Sequence, residues 1–600
     1  MLLVLRRNLM PILLLFLIGF SIYAVNLNNK LFWDDDDWIV NNPYVQSLSF
    51  ENTKFLFSNN TLAGIGLESD YYRPVLFLSF ATNYALGQTS PIGYHLVNNI
   101  LHILSAILIF FILFWGTREK IFSVLTALIF LIHPLQTEAV TYVAGRGDPL
   151  HLFLMLCSLV LFFRAEKRAE KLFSKSRIIS LVALVLAILS QEKAIVFPFL
   201  ALITFMTFIR PGRFFQSLKE GLKRVWPYFG LVFIYGLLRL TVLNFGGTLN
   251  FYQVSNVYSE SLAVRMFTFL SVLITYFRLL FAPIGLHMER SSIVYTSLLN
   301  LKVFGPALVL LGLLILPVFL YRRKMKDGAH PKVSHFDIWF FGLGWFFIAL
   351  GPVSGLTPIN AVIYEHWLYV PMIGFFSIPI FYLAKLINFL RAKSSRGFLA
   401  VLIILLSSYG LFFSAQAIKR NILWGNAEAF YQDILSYEPD SVRINNNLGN
   451  ISFNKGDLVA AKAYYAKATE AEDVFPQPYF NLGSILQTEG DIVGAIMMYE
   501  RALAINPNFH YALQNLVELY AQQGDLALAS DYIGRLKKIR PTDPVIFYNS
   551  ALVNLATGNQ VEAETDLEWA RRYAPAGSDI SQLILELQNR LRAPTPTPVP

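Results

Sequence analysis

Four consecutive carboxylates, Asp34, Asp35, Asp36 and Asp37, stand between Trp33 and Trp38 in the stretch FWDDDDWIVNNP. Directly beyond an apolar run, such a cluster offers a general base for a hydroxyl proton, or oxygens for a divalent cation. A solvated charge run is the plain alternative. Other polar residues recur at the ends of apolar stretches: Tyr72-Arg73-Pro74, Tyr94-His95, His133-Pro134 through Glu138, Gly145-Arg146-Gly147-Asp148, Glu192-Lys193, Arg239 and Glu365-His366. An ionisable side chain left unpaired in hydrocarbon is costly, so such residues pair with one another or face a cavity. Arg146 and Arg239 have the charge and fork geometry to hold a phosphate at a bilayer boundary. His95 and His133 lack H-E-x-x-H or comparable spacing, so no metal site is expected.

Membrane helices must position these residues. Of 600 residues, 55% are hydrophobic and only 15% charged, where soluble domains carry about 25% charged. Residues 1–420 hold 36 Lys+Arg against 19 Asp+Glu, whereas 421–600 hold 13 against 21. A basic, apolar front with an acidic, water-soluble rear describes a multi-pass membrane protein with an attached domain. The basic residues lie in short runs that orient spans, so nucleic acid is not an expected partner. A single cysteine, Cys157, excludes an internal disulfide or a Cys-based zinc site.

The first apolar run, Leu9 to Val25, follows Arg6 and Arg7 and lacks an A-x-A cleavage pattern, so it reads as a retained span. Further runs lie near 94–115, 121–134, 149–163, 178–190, 193–209, 226–243, 264–283, 301–320, 336–351, 366–387 and 398–416. Basic connectors at 164–177, 210–224, 322–332 and 391–396 belong to the cytoplasm, with the N-terminus. Parity between the second and third connectors then requires one run not to cross. The 264–283 run, with Arg265 and Arg278, is assigned that role, which leaves eleven spans and puts residues 421–600 outside.

The rear part carries a countable repeat. Gly456-Asp457, Gly490-Asp491, Gly524-Asp525 and Gly558-Asn559 are spaced by 34 residues, as are Ala461, Ala495, Ala529 and Ala563, and Pro507, Pro541 and Pro575. That period belongs to the tetratricopeptide helix–turn–helix. The repeats fit 442–475, 476–509, 510–543 and 544–577, after a half repeat at 421–441 and before a capping helix at 578–592. The Pro-Thr tail at 593–600 is read as disordered. The fold class is therefore all-α: a polytopic helical bundle over 1–420, then an α-solenoid over 421–592. Asn447, Asn481, Asn515 and Asn549 form a further column at the same spacing. An amide both donates and accepts, so the column suits an extended peptide backbone in the concave groove. Stabilising the helix pair is the alternative.

The series WDDDDWIVNNP (33–43), YYRPVLFLSF (71–80), GYHLVNNILH (93–102), HPLQTEAVTYVAGRGD (133–148), SQEKAIVFP (190–198) and EHWLYVP (365–371), completed by the repeats, resembles the transmembrane and tetratricopeptide-repeat O-mannosyltransferases and their bacterial relatives in the GT-C superfamily. The resemblance implies an inverting glycosyltransferase with no cofactor, a polyprenyl-phosphate-linked sugar as donor, and an acid of the first outward loop, Asp34 or Asp35, as base. The donor and phosphate set is then read as Arg73, Arg146, Arg239, Glu192, Lys193 and His366, and the topology puts Asp36, His95, His133, Glu138, Asp148 and Glu365 on the same face. Where relatives carry Lys-Glu and Glu-Arg, this chain has Gln191-Glu192 and Glu365-His366. If those basic residues of the relatives bind the donor phosphate, Lys193 and His366 compensate here, or the donor differs. Similar asparagine ladders hold acceptor peptides in the soluble O-GlcNAc transferase, so a protein acceptor in the repeat groove is the leading expectation. Transfer to a lipid-linked glycan, or a non-catalytic membrane scaffold, are the rivals. A bacterial cytoplasmic membrane is the favoured location.

Overall fold

The computed structural model describes residues 8–66, 69–245, 256–291, 293–326, 333–359, 361–470, 475–575 and 577–592. The Pro-Thr tail lies outside them. All regular elements among these residues are helical. The chain forms two compact units, Met1–Phe430 and Tyr431–Pro600. The first unit extends past the expected boundary at 420 because the last apolar helix, Arg396–Leu423, carries on through it.

In the first unit, nine described helical segments have the length and composition to cross a membrane: Leu9–Asn26, Pro91–Thr117, Ala144–Lys167, Glu192–Ile209, Leu262–Phe281, Leu301–Lys326, His335–Val353, Met372–Ala392 and Arg396–Leu423. This differs from the expected eleven. Lys120–Ile132 has 13 residues and Lys175–Ser190 has 16, short of the roughly 20 that a hydrocarbon core requires. Phe214–Leu240 is long but carries Lys219, Glu220, Lys223, Arg224 and Arg239. Conversely, Leu262–Phe281, expected not to cross, has 20 residues and passes the same test. Arg265 explains the difference, because its guanidinium is buried and bonded to the carbonyls of Gly355, Tyr258 and Ser259.

Close packing in this unit relies on small residues, as in membrane bundles generally. A Cβ on Gly374 would stand 2.5 Å from the carbonyl oxygen of Gly342, so two helices meet there backbone to backbone. Many of its buried polar groups are paired across helices. Lys324 binds both oxygens of Asp337 at 2.8 and 3.0 Å. Asn26, Asn99, Thr141 and Asn421 form a buried amide and hydroxyl network joining the first helix to the last.

The second unit is a run of paired antiparallel helices: Val442–Asn454 with Leu458–Thr469, Gln477–Thr488 with Ile492–Ile505, His510–Gln522 with Leu526–Ile539, and Pro544–Ala556 with Gln560–Tyr573. Asp579–Arg592 follows as the capping helix. Gly456, Gly490, Gly524 and Gly558 all have φ near +80°, a conformation that only glycine adopts cheaply. The next residue caps the second helix: Asp457, Asp491 and Asp525 accept from the N–H groups of Ala460, Gly494 and Leu528. Asn559, in the same column, makes no such bond. Ala461, Ala495, Ala529 and Ala563 are fully buried where the helices touch.

Losing a capping side chain costs about 1 kcal/mol. Asp491→Ala is expected to lower the stability of the repeats by that amount, whereas Asn559→Ala changes it by at most a few tenths. The midpoint of urea-dependent proteolysis of the detergent-solubilised chain measures both. Equal midpoints would show that these caps carry no weight.

Candidate functional site

The chain leaves its first span and turns at Trp33, whose φ is +64°. A bulky residue in this region costs roughly 1–2 kcal/mol, so its surroundings must hold it there. They are aromatic: Trp33 lies edge-on to Phe430 at 6.3 Å, and Phe32 contacts Phe430 at 5.6 Å and Trp424 at 5.7 Å. Beyond the turn the four acids separate. Asp35 is 2% exposed, and its Oδ1 accepts the N–H of Ala144 at 2.7 Å. Burial lifts its carboxyl well above the usual carboxylate range, with backbone N–H bonds opposing and Asp34 and Asp36 adding to the rise. Asp34 is half-buried, while Asp36 and Asp37 are exposed on the π-helical turn Asp36–Val40. Tyr142 joins the two inner acids. Its phenol is raised well above its ordinary value, first by burial and then by Asp34 and Asp35.

Ala144 opens the segment that carries Asp148 and His151 on its next turns, roughly 10 Å further along the helical rise. There Nζ of Lys193 lies 2.5 Å from Oδ1 of Asp148. Opposite, Nδ1 of His366 lies 2.6 Å from Oε1 of Glu138, and the His366 N–H donates to Oε2 at 3.1 Å. Asp148, His151, Lys193, His366 and Trp367 line one cleft, whose remaining walls include Met155, Val196, Ala349 and Val370. Lys193 and His366 keep 18% and 23% of their side chains exposed, against 4% for Asp148, so the ammonium and the imidazole are the accessible members. Arg73 pairs with Glu192 at 2.9 Å, and the Tyr72 N–H donates to the same carboxylate at 2.9 Å. Burial disfavours the Arg73 charge, but Glu192 outweighs this and holds the guanidinium above its usual range. Ion-paired and apolar side chains thus meet at the same cleft.

Several expected site residues have other work. Arg146 is fully buried over the Phe80 ring, and four of its five N–H donors go to Asn98, Ser79, Asn83 and the Tyr94 carbonyl. It holds helices together and cannot meet a phosphate in this arrangement. Arg239 donates to the carbonyls of Leu243 and Asp70. His95 meets the Asn29 carbonyl, and His133 sits between the Leu280 carbonyl and the Leu135 N–H against Phe413. Both are buried. Glu365 is fully buried, held by the His287 N–H, Arg290 and Arg420. Burial lifts its carboxyl above the ordinary value, against the pull of both arginines. It stays away from the cleft that His366, its neighbour in sequence, enters.

In the repeats, Asn447, Asn481, Asn515 and Asn549 are all partly exposed. Asn481 donates to Asn446 and Asn450, and Asn515 donates to the Tyr499 hydroxyl. At these two members the bonds run between neighbouring repeats. Among the described residues no cluster of three or more His, Cys, Asp or Glu is placed to hold a metal ion. Sequence reasoning passed over Tyr142, His151, Arg290, Trp367 and Arg420. His151 was within reach of it, since a residue three after Asp148 shares its helix face.

The dolichyl-phosphate-mannose-protein mannosyltransferase family matches residues 11–257, and tetratricopeptide-repeat families match 442–473 and 486–548. A protein O-mannosyl-transferase of Caenorhabditis elegans is 25% identical over 77% of this chain and 63% of its own length. Protein O-mannosyl-transferase TMTC4 of Homo sapiens is 25% identical over 74% of this chain and 64% of its own. The chain therefore spans a little under two thirds of these relatives. The Archaeoglobus fulgidus oligosaccharyltransferase structure aligns over 72% of this chain and 57% of that one, at 13% identity and a TM-score of 0.38. Residues 11–257 are thus similar to the dolichyl-phosphate-mannose-protein mannosyltransferase family, tetratricopeptide repeats follow, and the chain is similar through most of its length to the protein O-mannosyl-transferases.

Proposed function

We propose that the chain is an integral-membrane glycosyltransferase that moves a sugar, mannose by analogy with its named relatives, from a polyprenyl-phosphate carrier to a Ser or Thr hydroxyl of a protein. The observation that carries this reading is the Asp35–Ala144 bond. It fastens the acid loop to the helix whose next turns line the cleft, and leaves Asp34 half-exposed beside Tyr142.

In this reading Asp34 takes the proton of the acceptor hydroxyl as that oxygen attacks the anomeric carbon from the face opposite the phosphate. The glycosyl–phosphate bond breaks with inversion, and the lipid phosphate departs as a stable anion that needs no proton. Lys193 and His366 stabilise the charge that develops on it. The apolar walls hold the first part of the carrier chain. Asp35 positions the loop and takes no proton from substrate. The repeats select the acceptor, their asparagine column offering amides to its backbone. Acid loop and repeats share the compartment opposite the cytosol.

Two outcomes are expected in membranes where insertion of each variant has been verified, with transfer of radiolabelled mannose from its polyprenyl phosphate to peptide as the measurement. Asp34→Asn lowers kcat by about 10²- to 10⁴-fold, the usual contribution of a general base. Asp35→Asn keeps an oxygen for the Ala144 N–H and loses less than about tenfold. Wild-type turnover by the Asp34 variant would end the assignment. Lys193→Gln removes a charge-assisted bond of about 1.5–3 kcal/mol, so kcat/KM for the donor falls roughly 10- to 100-fold, with kcat carrying the part that belongs to the developing charge. An unchanged kcat/KM would move the phosphate elsewhere.

A further inference from the structure

Nδ1 of His151 lies 2.7 Å from the carbonyl oxygen of Gly147, one helical turn earlier. A carbonyl only accepts, so Nδ1 carries the hydrogen, and in the neutral ring Nε2 presents its lone pair. The ring is fully buried, and Nε2 has no hydrogen-bond partner among the described residues. Leaving a buried acceptor unmade costs about 1–3 kcal/mol, and native structures rarely tolerate it without a reason. The nearby carboxylate of Asp148 stands 3.9 Å from Nδ1, and its Oδ1 already receives Lys193. The imidazole therefore has no counter-ion of its own to hold a second proton.

His151 is also a wall of the cleft that contains Lys193 and His366. A second buried acceptor without a partner, Oε1 of Gln191, lies against Gly147, where a Cβ would stand only 2.5 Å away. Gly147 and His151 are one turn apart on the same helix face. Cations with unfilled acceptors close by define a chemistry. A bare phosphate dianion brings only acceptors and satisfies only the cations. A glycosyl phosphate brings hydroxyl donors as well and satisfies both.

Resting on the donor-site reading above, we propose that Nε2 of His151 accepts a hydrogen bond from one hydroxyl of the carrier-bound sugar, making it a residue that sets sugar specificity. A site built to bond a hydroxyl rejects the analogue that lacks it, because its own polar group is then stranded. His151 takes no part in proton transfer.

The test compares polyprenyl-phosphate mannose with its 2-, 3-, 4- and 6-deoxy analogues, using wild-type protein, His151→Leu and His151→Gln. With wild type, one analogue is expected to fall at least tenfold below the parent in kcat/KM. His151→Leu lowers the parent by a similar factor and abolishes the discrimination. His151→Gln, whose Oε1 reaches the place of Nε2, restores most of it, which a merely structural role would not do. If wild type uses every analogue within twofold of the parent, or if the Leu variant still discriminates, the inference is overturned while the glycosyltransferase reading stands. If wild-type protein neither uses the parent nor is thermally stabilised by it in detergent, the donor-site reading falls and this inference with it.

Discussion

The bond between the Asp35 carboxylate and the Ala144 N–H sets the register of everything around it. A carboxylate leaves water only at a cost, and here backbone donors and an aromatic enclosure offset that cost. Once Asp35 is turned inward, its neighbours have no freedom. Asp34 is held at the edge of the enclosure beside Tyr142, Asp36 and Asp37 face solvent, and Trp33 takes a left-handed turn that an indole would otherwise avoid. Ala144 begins the helix that bears Asp148 and His151, so one short contact relates the acids to the cleft.

Much of the charge elsewhere in the membrane unit is paired with its opposite, Arg146 and Arg265 being held by neutral oxygens instead. Lys193 meets Asp148, His366 meets Glu138, Arg73 meets Glu192, Lys324 meets Asp337, and Glu365 lies between two arginines. Desolvation of one such ion alone would cost several kcal/mol, so each arrives with its counter-charge. What separates a site from scaffolding is accessibility. Lys193 and His366 retain exposure at a cleft, whereas Arg146 is closed in by amides and carbonyls on every side.

Elements with a strong period or composition were legible in the sequence. The 34-residue spacing located the repeat turns, and the column of small residues identified where the helices touch, because backbone geometry at those positions admits few alternatives. The convergence of Asp148, Lys193 and His366 followed from their lying at the ends of apolar runs. Partner choice was not legible. Arg146 and Lys193 are both cations at the end of an apolar run, and only the approach of Asn98, Ser79 and Asn83, from two other helices, gives the first a structural task. Likewise Asp34 and Asp35 are identical in composition and adjacent in sequence. The direction of a single turn decides which of them is enclosed. The crossing number was also obscured, since Lys120–Ile132, Lys175–Ser190 and Phe214–Leu240 are too short or too charged for composition to assign.

The buried amides of Asn29 and Asn421 have a consequence for how the protein is made. Asn421 donates to the Ile22 carbonyl, and Asn29 donates to the Asn421 carbonyl, bridging nearly 400 positions of chain. Trp424 and Phe430, which enclose Phe32 and Trp33, arrive later still. During synthesis the acid loop emerges early and can meet Ala144 once that segment is made, but part of its aromatic wall is missing until the last membrane helix has been delivered. Completion of its enclosure is therefore among the final events of biogenesis, and a chain cut short before Trp424 would leave Phe32 and Trp33 without that wall.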